Sequence, residues 1–333
     1  METLAGAELC FPHLLNTSCR KPMLPPSDAI LLNILLSSVS LLTVVLNLLV
    51  IISISHYRQL HTPTNILLLS LAISDLLTGL HLPGVILNKE TCWLIGDIMC
   101  TVAHLDLFTI ISVSVGNMVL ISVDRYVAIC DPLCYPTKVT PGRVKICVFL
   151  CWGCAFLYSS LILMDHLTHP GRYNSCVGEC VAVIGYTAEA VDFVFSFIVP
   201  ITVIIVLYMR VFVVAVSQAR AMRSHIAAVT LRVSVTAKKS ERKAARTLGI
   251  VIAVFLICFS PYYCLSLEGQ NTFVSASSVL VGCLFYVNSC LNPVIYAFFY
   301  PWFRKAIKHI VTLQILQPHS CEANILWKGR GEC

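Results

Sequence analysis

Residues 276–299 read ASSVLVGCLFYVNSCLNPVIYAFF, a stretch without a single charged side chain. About 20 predominantly apolar residues are enough for a helix to cross the hydrocarbon core of a bilayer. Apolar and polar residues do not alternate along the stretch, so it does not have the pattern of a barrel strand. A helix satisfies its backbone hydrogen bonds within the segment, as lipid surroundings require. The stretch therefore predicts a membrane-spanning helix.

Six further apolar stretches precede it, and we expect each to form a helix across the membrane. They cover residues 29–55, 65–87, 99–129, 144–164, 188–214 and 247–267. The chain is 57% hydrophobic and 12% charged, whereas soluble domains carry about 25% charged residues. The predicted fold class is an all-α bundle of seven transmembrane helices over residues 29–300. It follows an N-terminal segment, 1–28, and precedes a C-terminal part, 301–333.

The distribution of basic residues predicts how the bundle is oriented. With the N-terminus outside, the exterior holds only four of the 23 lysines and arginines, namely Arg20, Lys21, Lys89 and Arg172. Cytoplasmic loops are the segments in which positive charge is enriched. The net charge of +6 then reflects membrane topology rather than nucleic-acid binding. Asn16 begins an Asn-Thr-Ser sequon, and this orientation makes it an extracellular glycosylation site.

Residues 301–308 predict a short amphipathic helix after the last span. Aromatic and apolar side chains lie on one side of it and cations on the other. Such a helix lies on the inner surface of the membrane, in contact with lipid.

Polar residues inside the predicted spans indicate a site near the middle of the membrane. A carboxylate within a span is costly, and Asp75 lies midway along the second span. Three polar residues lie at comparable depth on other spans: Ser114, Asn288 and Asn292. Their oxygens either bind a sodium ion, since hard cations prefer oxygen ligands, or form a hydrogen-bonded helix-packing cluster. We expect no other cofactor.

A second charged group lies at the cytoplasmic end of the third span. Asp124 and Arg125 end that span, and Glu241 begins the sixth. A bridge from Arg125 to Glu241 would hold the two helices together in an inactive state. The alternative is that both charges are solvated, because surface ion pairs contribute little.

Enzymes, channels and transporters are not favoured by the pattern. The sequence has no HExxH or GxSxG motif, no internal repeat and no rings of charge along a pore. We expect no enzymatic activity. A transporter or channel is the second class of function.

Several positions resemble, in order and spacing, those shared by rhodopsin-like G-protein-coupled receptors. They are Asn47, Asp75, Asp124-Arg125-Tyr126, Trp152, Pro200, Pro261 and Asn292-Pro293-Val294-Ile295-Tyr296. The resemblance covers almost the whole chain. It implies a plasma-membrane receptor whose activation involves Asp124, Arg125, Tyr126, Tyr208, Glu241 and Tyr296.

Three longer stretches are similar to the trace amine-associated receptors. They are residues 53–65, 239–245 and 288–303. This narrower resemblance implies detection of small amines, for most members as odorants, and signalling through a stimulatory G protein that raises cyclic AMP. It also implies two disulfides, Cys100–Cys180 and Cys19–Cys176. Cys10 and Cys92, in other polar loops, are further disulfide candidates.

The chain departs from the aminergic pattern where the ligand's ammonium group binds. Aminergic receptors carry an aspartate on the third helix, eighteen residues before the arginine that is Arg125 here. That position is Leu107, which shares the azimuth of Arg125 because eighteen residues make five turns. Asp106 lies roughly 100° around the helix, so we expect it to face a neighbouring helix or a headgroup. Phe259 also replaces the usual tryptophan before Pro261.

Asp192, about two turns outward of Pro200 on the fifth span, is the alternative anchor for an ammonium group. An unpaired carboxylate is costly in apolar surroundings unless a cation binds it. Some divergent fish members of the family similarly keep an aspartate on this helix. The alternative is a partner within the protein, such as Tyr262, Tyr263 or a histidine. The expected binding residues are Asp192, Asp106, Leu107, Ile111, Glu189, Ser196, Phe259, Tyr262, Tyr263 and Tyr286.

The expected ligand orientation puts the ammonium toward the fifth helix and the apolar end near Leu107 and Tyr286. The absence of an aspartate at Leu107 leaves two alternatives open within the receptor class. They are an aminergic neurotransmitter receptor and a receptor for a small molecule that is not an amine.

We expect Glu241→Ala to raise basal cyclic AMP, because Arg125 would lose the partner that favours the closed cytoplasmic face. The measurement is cyclic AMP without agonist, at matched surface expression. Basal signalling equal to that of the wild type would count against the bridge.

Overall fold

The computed structural model describes residues 9–14, 16–20, 26–90, 92–225, 249–250, 253–264, 276–323 and 325. Over these ranges the chain is an all-helical bundle, as predicted. Its main helices are α1 (Pro26–His56), α2 (Pro63–Glu90), α3 (Asp97–Cys130), α4 (Pro141–Ile162), α5 (Tyr186–Asp192, Phe193–Ile198 and Val199–His225), α6 (Ala253–Cys264), α7 (Ala276–Phe299) and α8 (Pro301–Val311). Five described helices, α1 to α5, are long and apolar enough to cross a bilayer.

Proline marks where several helices begin. Pro26, Pro63 and Pro141 are the first residues of α1, α2 and α4, two or three residues before the boundaries predicted from hydrophobicity. Proline is favourable in the first turn, where its missing N–H would have no helical partner. The N-cap of α4 is Thr140, whose hydroxyl accepts the Arg143 N–H. Hydropathy alone does not predict these first residues, because an apolar stretch is recognised only from its first hydrophobic residue.

The fifth span is not a uniform α-helix. Its middle segment, Phe193–Ile198, has π-helical hydrogen bonding and ends two residues before Pro200. Proline has no N–H to donate to the preceding turn, so the local hydrogen-bond register changes there. The wider turn directly follows Asp192 and includes Ser196, and it therefore sets the direction of both side chains.

Polar side chains join the helices inside the bundle. The Asn47 amide of α1 donates to the Ser289 carbonyl of α7 at 3.0 Å. Trp152 Nε1 of α4 donates to Ser70 Oγ of α2 at 3.1 Å. Gly116 allows α3 to approach α4 closely, because an added Cβ would lie 2.5 Å from Cys151 Sγ. Such contacts hold helices together in lipid, where the hydrophobic effect does not.

The outer surface of the bundle is apolar, as a lipid-facing surface must be. Phe149 and Leu157 on α4 and Phe212 on α5 expose more than half of their surface. The predicted amphipathic helix is α8, which buries Trp302 and Phe303. Its cations remain on the other side, and Arg304 donates to two carbonyls at the end of α7.

The opposite end of the bundle is covalently cross-linked. Both disulfides that the resemblance implies are present, Cys100–Cys180 and Cys19–Cys176. A third, Cys10–Cys92, joins the N-terminal segment to the end of α2 and was not among the predicted pairs. The segment is exposed at Asn16, as a glycosylation acceptor requires.

Main-chain hydrogen bonds hold the N-terminal segment over the loop that precedes α5. Cys19 N donates to the Val177 carbonyl at 3.0 Å, and Val177 N donates to the Thr17 carbonyl at 2.8 Å. Gly178 has φ +104°, and an added Cβ there would lie 3.1 Å from the Cys10 Cβ. Glycine at this position therefore permits both the turn and the close contact.

We expect the Cys10→Ala/Cys92→Ala variant to be less stable than the wild type by about 2–4 kcal/mol, because the bridge restricts the unfolded chain. The measurement is thermal unfolding of the detergent-solubilised protein. Cys147→Ala is the control, since Cys147 is an exposed free thiol. Recovery of Cys10 or Cys92 as a free thiol in a non-reducing digest would refute the bridge.

Candidate functional site

A half-buried carboxylate lies between α4 and α5, near the disulfide-bonded end. Asp192 Oδ1 accepts hydrogen bonds from the Tyr158 hydroxyl and the Ser196 hydroxyl, each at 2.8 Å. The two hydroxyl oxygens are 3.3 Å apart. Among the described residues, no lysine, arginine or histidine nitrogen lies within 4.0 Å of this carboxylate. Asp192 thus has partners within the protein, but they are neutral.

Aromatic rings pack beside this carboxylate. The Tyr263 ring lies 4.5 Å from the Phe197 ring and 6.0 Å from the Phe193 ring, measured between centroids. Tyr262 packs edge-on against Tyr263 at 5.2 Å. Both tyrosines are within electrostatic range of Asp192. The arrangement places an aromatic cluster from α5 and α6 in the neighbourhood of Asp192.

Asp106 has different surroundings. Its side chain is 59% exposed, and its Oδ2 lies 4.0 Å from Nδ1 of His81 on α2. The carboxylate therefore faces a neighbouring helix, the direction expected from its azimuth. Leu107, the next residue, is half-buried. The structure thus separates Asp106 and Asp192 to different faces of the bundle.

The other predicted binding residues are distributed over four helices. Ile111 on α3 is half-buried against the main core, and Phe259 on α6 is buried with its ring 4.3 Å from that of Phe255. Glu189 lies half-buried near the outer end of α5. Tyr286 on α7 packs in a separate cluster with Leu36 of α1.

The polar residues predicted at mid-membrane lie on three helices, and all four are buried. The Asn292 amide donates to Asp75 Oδ2 at 2.8 Å. Several other buried polar atoms have no hydrogen-bond partner among the described residues: Asp75 Oδ1, Ser114 Oγ, both Asn288 amide atoms and Asn292 Oδ1. Buried polar groups are almost always hydrogen-bonded, so these atoms point to a bound cation or water. Oxygen-rich and anionic, the set fits a sodium ion.

Two other groups of ligand-type side chains lie at the disulfide-bonded end. One contains Cys100, His104 and Cys180, and the other contains Cys19, Cys176 and Glu179. All four cysteines are in disulfides, and a disulfide sulfur is not the thiolate that binds metals. Neither group is a metal centre.

Asp124 and Arg125 form a hydrogen-bonded network near the C-terminal end of α3, on the same side of the bundle as α8. Arg125 Nε donates to Asp124 Oδ2 at 2.9 Å. The Tyr135 hydroxyl donates to Asp124 Oδ1 at 2.8 Å, and Thr64 Oγ1 donates to Oδ2 at 2.9 Å. Arg125 also donates to Thr64 Oγ1. Glu241, the predicted partner of Arg125, lies outside the described residues.

Three tyrosines with expected roles in activation lie in the same half of the bundle. Tyr296 is buried, and its hydroxyl has no hydrogen-bond partner in the part of the chain that the structure describes. Tyr208 is half-buried, and its ring packs close to Gly249, which precedes α6. A Cβ added at Gly249 would lie 3.2 Å from the ring. Tyr126 is half-buried on α3.

Sequence reasoning did not identify the partners of the charged groups. Tyr158, which binds Asp192, and Thr64 and Tyr135, which bind Asp124, were not singled out. Each is a hydroxyl in or beside an apolar helix, and a buried tyrosine hydroxyl usually has a hydrogen-bond partner. That requirement was the available signal, but it does not say which carboxylate the hydroxyl meets.

Comparison with known proteins identifies what this arrangement resembles. Residues 46–296 match the family model described as 7 transmembrane receptor (rhodopsin family). The chain is 37% identical to trace amine-associated receptor 13c of Danio rerio, over 96% of each chain. It is 37% identical to trace amine-associated receptor 8a of Rattus norvegicus, over 95% of this chain and 96% of that one. Trace amine-associated receptor 6 of Homo sapiens is 36% identical, over 97% and 96%.

Proposed function

We propose that this chain, which belongs to the rhodopsin family of seven-transmembrane receptors and within it to the trace amine-associated receptors, detects a small amine through Asp192. The family membership confirms the predicted fold class and makes the chain a membrane receptor, not an enzyme. The relatives are named for trace amines, which supports an amine as the ligand class here.

The single observation that carries the proposal is the carboxylate of Asp192, whose hydrogen-bond donors among the described residues are neutral hydroxyls. Removing a carboxylate from water costs free energy, and hydroxyl donors offset only part of that cost. A ligand ammonium would neutralise the charge where no described side chain does. Leu107 cannot pair with an ammonium, and Asp106 faces His81.

The rings beside Asp192 support the same ligand class. Aromatic faces attract alkylammonium groups by roughly 1–2 kcal/mol when the site is desolvated. The Tyr263 and Phe197 rings pack against each other, and Tyr263 is within electrostatic range of the carboxylate. A carboxylate flanked by aromatic rings is the chemistry that selects an organic cation over a neutral molecule.

Signal transmission is proposed to run through the network of Asp124 and Arg125 to a heterotrimeric G protein of the stimulatory class. In the described residues Arg125 is held by Asp124 and Thr64, and these contacts would have to break before Arg125 could engage another partner. The proposed orientation has the N-terminal segment outside and α8 on the cytoplasmic surface of the plasma membrane. The three disulfides at the N-terminal end support it, because disulfides form in oxidising compartments.

We also propose a sodium ion among Asp75, Ser114, Asn288 and Asn292, in a role that favours the inactive state. Replacing KCl by NaCl should lower amine potency several-fold in the wild type, because the ion stabilises the closed arrangement. Asp75→Asn removes the anionic ligand and should abolish the difference between the two salts. A wild-type receptor whose amine potency is the same in both salts would contradict the ion.

The central test compares the two carboxylates. Asp192→Ala should reduce amine potency by well over tenfold, because a charge-assisted bond is worth roughly 1.5–3 kcal/mol and losing a buried charge partner costs more. Asp106→Ala should have a mild effect. The measurement is cyclic AMP across a panel of mono- and diamines, at matched surface expression. The reverse result, with Asp106 essential and Asp192 dispensable, would place the amine on α3.

A further inference from the structure

The face of the bundle between α4 and α5 contains an apolar cleft. It has a volume of about 440 Å³, which lies within the range of about 300–1,000 Å³ usual for small-molecule sites. Leu161, Ile162, Val191 and Phe195 contribute hydrocarbon to its walls. Leu161 and Phe195 are also exposed at the outer surface of the bundle, so the cleft opens sideways, toward lipid.

This cleft adjoins the carboxylate of the proposed amine site. Tyr158, whose hydroxyl binds Asp192, lines the cleft. A second cleft, of about 290 Å³, lies between α3, α4 and α5 and is lined by both Tyr158 and Ser196. Tyr158 and Ser196, whose hydroxyls bind Asp192, therefore also line apolar clefts next to α4.

The orientation of the Asp192 carboxylate determines which apolar cleft lies next to a bound amine. Both donors to its carboxylate contact the same oxygen, Oδ1, and one of them belongs to α4. The carboxylate is thus turned toward α4. An ammonium bound to this carboxylate would lie close to Tyr158, which is a wall residue of the α4–α5 cleft. This placement differs from the predicted orientation, in which the apolar end of the ligand lies near Leu107 and Tyr286.

We propose that the α4–α5 cleft binds the hydrocarbon part of the ligand, and that the preferred ligands are monoamines with one extended apolar chain. This inference rests on the proposed role of Asp192. Charge complementarity selects the occupant: the carboxylate fixes a cationic group at one end, and the walls beyond it are mostly hydrocarbon and carry no charged side chain. A second charged end, as in a diamine, would meet no counter-charge among the residues that line the cleft.

The test is a series of straight-chain primary amines of increasing length, applied to cells that express the full chain. Potency in the wild type should rise about fourfold for each methylene that enters the cleft. Ala188→Phe fills the cleft, because Ala188 lines it, and should remove this rise, so that the longest amines lose tenfold or more in potency. The shortest amines should change less than threefold.

Ala190→Phe is the matched control. Ala190 is exposed on the same helical segment but does not line the cleft, so it adds the same ring outside the site. Leu161→Ala provides a second variant that creates no clash, and it should weaken only the long amines. Surface expression is measured for every variant.

The outcomes separate this inference from the proposed function. Suppose that Asp192→Asn loses all amine responses, while Ala188→Phe and Leu161→Ala keep the wild-type dependence on chain length. This result would refute binding of the hydrocarbon chain in the cleft and support Asp192 as the amine site. Equal flattening by Ala188→Phe and Ala190→Phe would show that length dependence comes from partitioning into the bilayer, and would also refute binding in the cleft. Full amine responses in Asp192→Asn would overturn the proposed anchor itself.

Discussion

A carboxylate removed from water needs hydrogen-bond donors or a cation to offset the lost hydration. The side chains that meet this need connect the helices of the bundle. Three carboxylates inside the described spans have different partners. Asp124 accepts a hydrogen bond from an arginine, and Asp192 accepts hydrogen bonds from two hydroxyls. Asp75 accepts one from an amide, and its other oxygen has no partner among the described residues. Only the first has a cation in the described chain. Asp124, whose charge is balanced by Arg125, therefore forms a structural pair. Asp75 and Asp192, whose charges are not balanced by a described cation, are the positions where an external cation would bind.

The architecture could be predicted from the sequence because the relevant signal is local. An apolar run long enough to cross a bilayer has one solution, a helix, so the count and the approximate bounds of the spans follow from hydropathy. The boundaries shifted by two or three residues where proline begins a helix. The azimuth of Asp106 was also predictable, since one residue rotates the side chain by a fixed angle.

The contacts between helices could not be predicted in the same way. Which hydroxyl meets Asp192 depends on the π-helical turn before Pro200 and on the rotation of α4 against α5, and neither is encoded in a local pattern. The same holds for Thr64 and Tyr135 at Asp124, and for Cys10, whose partner lies 82 residues away. Cysteine spacing admits several pairings, and only the folded loops decide among them.

The disulfide-bonded end also constrains how the chain is made. Cys10 and Cys19 lie opposite each other, joined by a main-chain hydrogen bond of 2.9 Å, yet they pair with cysteines 82 and 157 residues further on. Both leave the ribosome long before Cys176 does, so for much of synthesis each is the nearest thiol to the other. A Cys10–Cys19 bond formed early has to be exchanged through mixed disulfides before the native pairs can form. The yield of correctly assembled protein in a foreign host will therefore depend on isomerase capacity and on translation speed, independently of how stable the finished molecule is.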